Sequence, residues 1–315
     1  MKKFLFTLGV ISLLVLAAAT VSAESYDLKL NLETGDTYTL DSSITQEINY
    51  QMMDMDIYMN QEIIQELTFK VSDITDKGNY KMQANIKNIE FIMHDSNFPM
   101  ENDLNEEEID KEELLEEMNR DWEEISKAME NKEFSITLSP RGKVVAQSGL
   151  NELMSDVSQV SSEEIEMDNL DEDFFEQSWD HSFVSFPEHS VSPGDSWEDT
   201  LEMQMLMEME MTTNYTLEEF GDQEIILDQT SDIDFGNLDP TQILGDEAEE
   251  VEMDFNMDGN QEGQIILFED SMWIKEAQTT QKLEGEIIMT SPAEGESFAM
   301  PFNATSKISI SGNKK

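Results

Sequence analysis

Residues Leu201–Met211 read LEMQMLMEMEM, with methionine at positions 203, 205, 207, 209 and 211. In a β-strand alternate side chains share a face. Met203, Met205, Met207, Met209 and Met211 then project to one side, while Glu202, Gln204, Glu208 and Glu210 meet water. Leu206 is the one break in the alternation. The period of two predicts a strand with a sulfur-rich inner face. The simplest use of that face is core. A sharper use is the lining of an adaptable apolar cavity, because unbranched thioethers re-pack around irregular guests. The sharpest is Cu(I) binding, which needs convergent soft ligands and finds no Cys or His nearby.

The same period recurs on both sides. YDLKLNL (26–32), YTLDSSITQEINYQ (38–51), MDMDIYMN (53–60), ELTFKVSDI (66–74) and NYKMQANIKNIEFIM (79–93) read as strands. Thr75-Asp76-Lys77-Gly78-Asn79 joins the last two as a hairpin loop. FSITLSPRGKVVAQSG (134–149) predicts two more strands about a Ser139–Gly142 turn. From Phe186 the pattern resumes through NYTLEEF, EIILDQTSDIDF, VEMDFNM, GQIILFED, SMWIKEAQTTQKLEGEIIMT and FNATSKISIS. Asp258-Gly259 is read as a turn between two of these runs.

Between the β-rich parts the period changes. Leu115, Met118, Trp122, Ile125 and Met129 recur at alternating steps of three and four, which predicts an amphipathic helix within 103–131. Leu150, Leu153, Met154 and Val157 predict a shorter one. Residues 161–179 are expected to be helical in part, ending near Phe174, Phe175 and Trp179. Gly35-Asp36-Thr37-Tyr38 opens the first strand set and Gly194-Asp195-Ser196-Trp197 the second, a sign of internal duplication. The expected class is α+β, mainly β: a large curved antiparallel sheet from two meanders with helices packed on its concave face. Residues 24–100 would form the first meander, 101–180 a helical insert with a hairpin, and 181–315 the second meander. All belong to one domain, since no long Gly/Ser linker divides the chain.

The N-terminus reads as an export signal. Lys2 and Lys3 precede an apolar run from Phe4 to Ala19, and Val21-Ser22-Ala23 is a small-residue cleavage site. Residues 1–23 are therefore expected to be a signal peptide. No later run approaches the ~18 apolar residues that span a bilayer. The sequence has no cysteine, hence no disulfide and no lipobox thiol, so the expected product is exported but is not a lipoprotein. Seventy acidic residues against eighteen basic ones give a net charge of −52. That excludes nucleic acid and anionic membrane surfaces as natural partners. It fits adaptation to high salt, where screening shortens to ~3 Å at about 1 M, with an alkaline habitat or a cation-collecting role as the rival readings, and weak divalent-cation binding over the acidic surface.

Few motifs carry chemistry. Asp254, Asn256 and Asp258, followed by Gly259, match the first half of a calcium loop, but Ile265 stands where the closing acid belongs. Gly194-Asp195-Ser196 is similar to the nucleophile block of a family of serine esterases. The histidines His94, His181 and His189 all precede it, and its match to Gly35-Asp36-Thr37 marks a turn. No nucleotide fingerprint, cofactor motif or zinc spacing is present.

Phe186-Pro187 through Val191 and Gly194-Asp195-Ser196-Trp197 form an F-P-x3-V-x-x-G-D-S-W block. It resembles a family of exported bacterial proteins of unknown function, as do Leu30, Leu32, Gly35, Asp36 and Tyr38 at the first strand entry. FSITLSPRGKVVAQSGLNEL (134–153) and GQIILFEDSMWIKEAQTTQKLEGEI (263–287) resemble further elements of that family, the second without its usual Gly after the Asp. The resemblance implies export and an architecture similar to the curved-sheet lipoprotein-carrier type, and no reaction.

The expected function is a non-catalytic exported binding protein, holding a lipid-like or apolar small ligand between sheet and helices. Met203, Met205, Met207, Met209, Met211, Trp122, Phe174, Phe175 and Trp179 are the cavity candidates. The alternatives are a cell-surface interaction module with a solid core, and a hydrolase using unassigned carboxylates. The charge carries a test of its own: stability followed by circular dichroism should rise from about 50 mM to about 2 M NaCl. Equal stability at both ends would refute salt adaptation.

Overall fold

Alternation of inward and outward side chains carries through almost every strand of the chain. The structure is a computed structural model. It describes residues 24–52, 55–96, 111–150, 153, 155, 157, 182–204, 207–238, 252–291 and 296–315. Among these, β1 (Thr37–Met52), β2 (Met55–Ile74), β3 (Tyr80–Ser96), β4 (Glu133–Leu138) and β5 (Val144–Ser148) form the first meander. The second consists of β6 (Ser196–Gln204), β7 (Met207–Phe220), β8 (Glu224–Leu238), β9 (Glu252–Phe268), β10 (Ile274–Ser291) and β11 (Glu296–Lys314). β1 pairs with β11, so both meanders join in one antiparallel sheet ordered β5-β4-β3-β2-β1-β11-β10-β9-β8-β7-β6.

The sheet is rolled. Lys143, in the turn between β4 and β5, places its Nζ 2.7 Å from Asp199 Oδ1 on β6, the opposite edge strand. Laid flat, eleven strands at ~4.8 Å spacing would hold these edges roughly 45 Å apart. A strap across residues 183–186 spans the seam between them. Phe186 donates its backbone N–H to the Arg141 carbonyl at 2.9 Å, and the Ser185 carbonyl accepts from the Trp197 indole at 2.7 Å.

YDLKLNL is extended but does not join the ladder, contrary to expectation. Its backbone is taken up piecemeal: Tyr26 bridges Val191, Leu30 donates to the Pro140 carbonyl and Asn31 to that of Ser271. Leu28, Leu30 and Leu32 are buried, so the segment plugs the base of the roll. There Trp273 packs against Tyr38, Phe69 and Phe183 with ring centroids 4.8, 5.5 and 5.8 Å away. The two duplicated entries are built alike. Gly35 and Gly194 take φ of 100° and 91°, backbone that L side chains rarely adopt. Gly35 and Asp36 exchange hydrogen bonds with Val71 as Gly194 and Asp195 do with Leu217.

The helix α1 (Lys111–Met129) lies on the concave face. Trp122 packs against Phe91 of β3 with ring centroids 4.8 Å apart and planes tilted by 32°. Asn119 both donates to and accepts from the backbone of Met93. Leu150, Leu153 and Val157 are helical and buried, as their spacing predicted. No helix among the described residues is long and apolar enough to cross a membrane. Residues 1–23, read above as a signal peptide, lie outside the described residues.

Two further expectations are corrected. LEMQMLMEMEM is not one strand: β6 ends at Gln204 and β7 begins at Met207, in a hairpin that pairs Met203 with Met209 and Leu201 with Met211. Paired residues share a face, so the stretch keeps its inner side despite the reversal. Asp258-Gly259, in contrast, is no turn. β9 runs through it, with Gly259 between Ile233 and Leu283 on the flanking strands. A Cβ there would lie 2.8 Å from Ile233 Cβ and 2.7 Å from Leu283 Cδ2, so the glycine makes room for its neighbours. Gly259→Val should destabilise the fold by about 1–3 kcal/mol through overpacking, read from urea unfolding midpoints. An unchanged midpoint would show that this packing is not tight.

Candidate functional site

Pairing register sorts the concave face into rows that cross eight strands from β2 to β6. Nearest the base, Ile310, Ala277, Ile265, Leu227 and Leu217 lie side by side. Above them run Ile63, Ile44, Ile308, Thr279, Gly263, Gln229 and Tyr215. The next row is polar at every strand: Gln61, Gln46, Ser306, Gln281, Gln261, Ser231, Thr213 and Asp199. Apolar side chains then return at Met59, Ile48, Ala304, Leu283, Ile233, Met211 and Leu201. The rim row ends in Phe235, Met209 and Met203.

A cavity of about 550 Å³ opens where these rows curve around the strap. Ile265, Ile274, Ala277 and Ile310 line its lower part, with Phe183 and Val184 of the strap. Ile233, Leu201, Met203, Met209 and Met211 line its upper part. Between them the polar row contributes Asp199, Thr213, Gln261 and Gln281, with Gln229, Thr279 and Tyr215 just below. The volume falls within the ~300–1,000 Å³ range of small-molecule sites.

Buried polar groups need partners. Gln46 donates to Ser306 Oγ at 3.1 Å and accepts from Gln61. The Thr213 and Ser231 hydroxyls lie 2.8 Å apart, and Gln229 reaches Thr279 Oγ1 at 3.5 Å. Gln261 and Gln281, half-buried and opposite each other, make no side-chain hydrogen bond to any described residue outside that pair. Asp199 is held by Lys143. Burial, with the Asp199 carboxylate nearby, pushes the Tyr215 hydroxyl up to about 12. The phenol therefore stays protonated. No Lys, Arg, His or Cys is among the described residues lining the cavity.

Of the sequence candidates, Met203, Met209 and Met211 come together on this lining. Trp122 does not: it packs against Phe91, on the β3 side, because its helix is pinned at Met93. The roof is the strap rather than that helix. Met205, Phe174, Phe175 and Trp179 lie outside the described residues, as does the side chain of Met207. Asp254, Asn256 and Asp258 are no calcium loop. They are exposed on one face of β9, at strand spacing, and the described residues hold no group of three or more His, Cys, Asp or Glu placed to hold a metal ion. Ser196 bonds Thr216 Oγ1 at 2.9 Å on the outer face, as a strand residue. Sequence reading missed Gln261, Gln281 and Thr279, because the alternating polar residues of β9 and β10 mark the outer face, while these stand singly at inward positions, Gln261 between Gly259 and Gly263 and Gln281 between Thr279 and Leu283.

Residues 77–274 match a family described as being of unknown function, DUF6263. The chain belongs to that family. No curated protein matches the DUF6263 chain in sequence. Among solved structures it is similar to one titled for lipid–protein interactions in lipovitellin, at 9% identity and a TM-score of 0.49. That match covers 90% of this chain but only 25% of the lipovitellin chain. It is also similar to the COG4313 outer membrane channel of Pseudomonas putida F1, at 7% identity, a TM-score of 0.24, and coverage of 92% and 99% of the two chains. DynF of Micromonospora chersina matches at 5% identity and a TM-score of 0.19, over 92% and 86%. None reaches a TM-score of 0.5, and the function proposed below is carried by the chain's own residues.

The phenols give a test of the site's burial. Tyr38 is also raised by burial to about 12. Ultraviolet titration should show both ionising late, with Tyr215→Phe removing one late component. Between the unfolded tyrosine value of about 10 and the folded value, the native state holds protons that the unfolded chain has lost. Stability must therefore fall as pH rises through that window. Ionisation of all six tyrosines near pH 10 would contradict the burial.

Proposed function

We propose that this chain is a non-catalytic exported binding protein that holds an apolar or amphiphilic small molecule inside its rolled sheet. The observation that carries the reading is the cavity of about 550 Å³ on the concave face, with isoleucines below, methionines above and the strap alongside. Such a space is out of place in a chain built only to pack, because side chains in protein interiors interdigitate with few voids larger than a water molecule. Its lining suits retention better than turnover. The one carboxylate among the described lining residues is engaged by Lys143, and those residues include no histidine or thiol to act as base or nucleophile. Met203, Met209 and Met211 supply the adaptable part of the wall, since thioether side chains change rotamer cheaply around a guest.

Export is part of the same proposal and is supported by the basic, apolar and small-residue pattern of residues 1–23. The acid-rich surface supports a setting in which ligand capture does not depend on anionic membranes.

The test uses the chain from residue 24 and an uncharged apolar dye, Nile red. Its fluorescence should rise saturably with protein. Met211→Trp, which places an indole in the upper half of the cavity, should weaken the uptake by about tenfold or more with the β-sheet circular-dichroism spectrum retained. Dye that does not bind, or binds the variant equally well, would overturn the reading.

A further inference from the structure

The polar row sits in the middle of the cavity wall, and its position says more about the guest than the cavity's size does. A pocket for plain hydrocarbon gains nothing from amides, because leaving them unpaired against an apolar guest costs roughly 1–3 kcal/mol each. Most of the row is already satisfied inside the protein. Gln46 bonds both Ser306 and Gln61, and Thr213 bonds Ser231. Gln261 and Gln281 are different. They line the cavity on adjacent strands, directly opposite each other, and find no partner among the other described residues. Even a bond between the two leaves amide groups over, since each carboxamide carries two donor hydrogens and an acceptor oxygen. Apolar wall lies above them at Ile233 and, past the row of Thr279 and Gln229, below them at Ile265 and Ala277.

Charge narrows the class further. No cationic side chain is among the described residues of the lining, and the carboxylate of Asp199 stands on the same row. A buried anionic head would be desolvated, unpaired and repelled. Asp199 is already committed to Lys143 at 2.7 Å, so it is not a free counter-ion for a cation either.

We propose that the cavity selects an uncharged amphiphile, with a hydroxyl-, ester- or amide-bearing polar group seated on Gln261 and Gln281, and discriminates against fatty-acid carboxylates. This rests on the binding function proposed above and names its ligand class. Carboxamides at this row donate to ester or hydroxyl oxygens and accept from hydroxyl or amide hydrogens, while hydrocarbon on either side fills the apolar rows. The protonated Tyr215 hydroxyl, one row lower, keeps the surroundings neutral across the working pH range.

The experiment compares two ligands with the same chain, 1-monoolein and oleate at about pH 8, by displacement of Nile red from the unmodified protein. Monoolein should displace the dye at a concentration at least about tenfold lower than oleate, the fold-change expected from two hydrogen bonds and an unpaired charge. The double variant Gln261→Leu/Gln281→Leu should lose about tenfold in monoolein affinity while its Nile red affinity holds. Oleate binding as tightly as monoolein overturns the proposal, and so does a folded double variant with unchanged monoolein affinity. If the double variant does not fold, the comparison of the two ligands on the unmodified chain decides alone. Dye that binds while oleate matches monoolein removes only the ligand class. Dye that never binds removes the cavity function and this proposal with it.

Discussion

Trp273 is the contact on which the rolled sheet depends. It stands at the head of β10 in the second meander, against Tyr38 and Phe69 of the first and Phe183 of the strap. Its indole N–H donates to the Thr39 carbonyl at 3.2 Å, so the buried donor is satisfied. A tryptophan buries roughly 150–250 Å², worth about 4–6 kcal/mol at ~25 cal/mol per Å². That is a large share of the 5–15 kcal/mol net stability typical of a domain. Trp273 touches both meanders and the strap together, which makes this cluster the place where the roll is held shut.

The cavity follows from where that cluster stops. Close to the base, aromatic rings and the leucines of residues 28–32 fill the inside of the roll. Higher up, isoleucine, threonine, glutamine and methionine at inward positions line a wall around open space. The strap covers one side, leaving space bounded by Phe183 and Val184. Filling thus follows what stands inside the roll at each level, the residue 28–32 segment with its aromatic partners at the base and the wall rows alone above.

The sheet was legible because period-two alternation is a local property, and each strand displays it independently of its partners. So were the hairpin at Gly78 and the turn at Gly142, where positive φ is demanded by the chain's own geometry. Gly259 was misread because an Asp-Gly pair between alternating runs is a strong local turn signal, whereas its actual role is set by Ile233 and Leu283 on other strands. The hairpin inside LEMQMLMEMEM was invisible for the opposite reason. A reversal that pairs Met203 with Met209 preserves the alternation on which the reading relied. Trp122 was assigned correctly to an amphipathic helix, but which part of the concave face that helix would meet depends on Asn119 and the Met93 backbone. No periodicity encodes that. The polar row across eight strands is likewise a product of register and exists only once the strands are aligned.

Register also explains how two similar meanders make a roll instead of a flat sheet. The entries at Gly35 and Gly194 are equivalent, so Tyr38 and Trp197 occupy corresponding places in β1 and β6. Followed across the pairing, however, the row of Trp197 runs through Tyr215, Gln229, Gly263, Thr279 and Ile308 to Ile44, not to Tyr38. The second meander is thus displaced by six residues, roughly 20 Å at ~3.3 Å per residue. The stagger continues to the other edge. The row of Asp199 reaches Met93 on β3, while Lys143, its ion-pair partner, lies beside the level of Tyr80, about a dozen residues lower. An advance of roughly 40 Å over eleven strands corresponds to a tilt of roughly 40°, inside the 35–45° at which closed barrels incline their strands. A flat sheet could not bring those two side chains to 2.7 Å. The tilt that brings them together is the one that turns the methionine, glutamine and isoleucine rows inward around a common space.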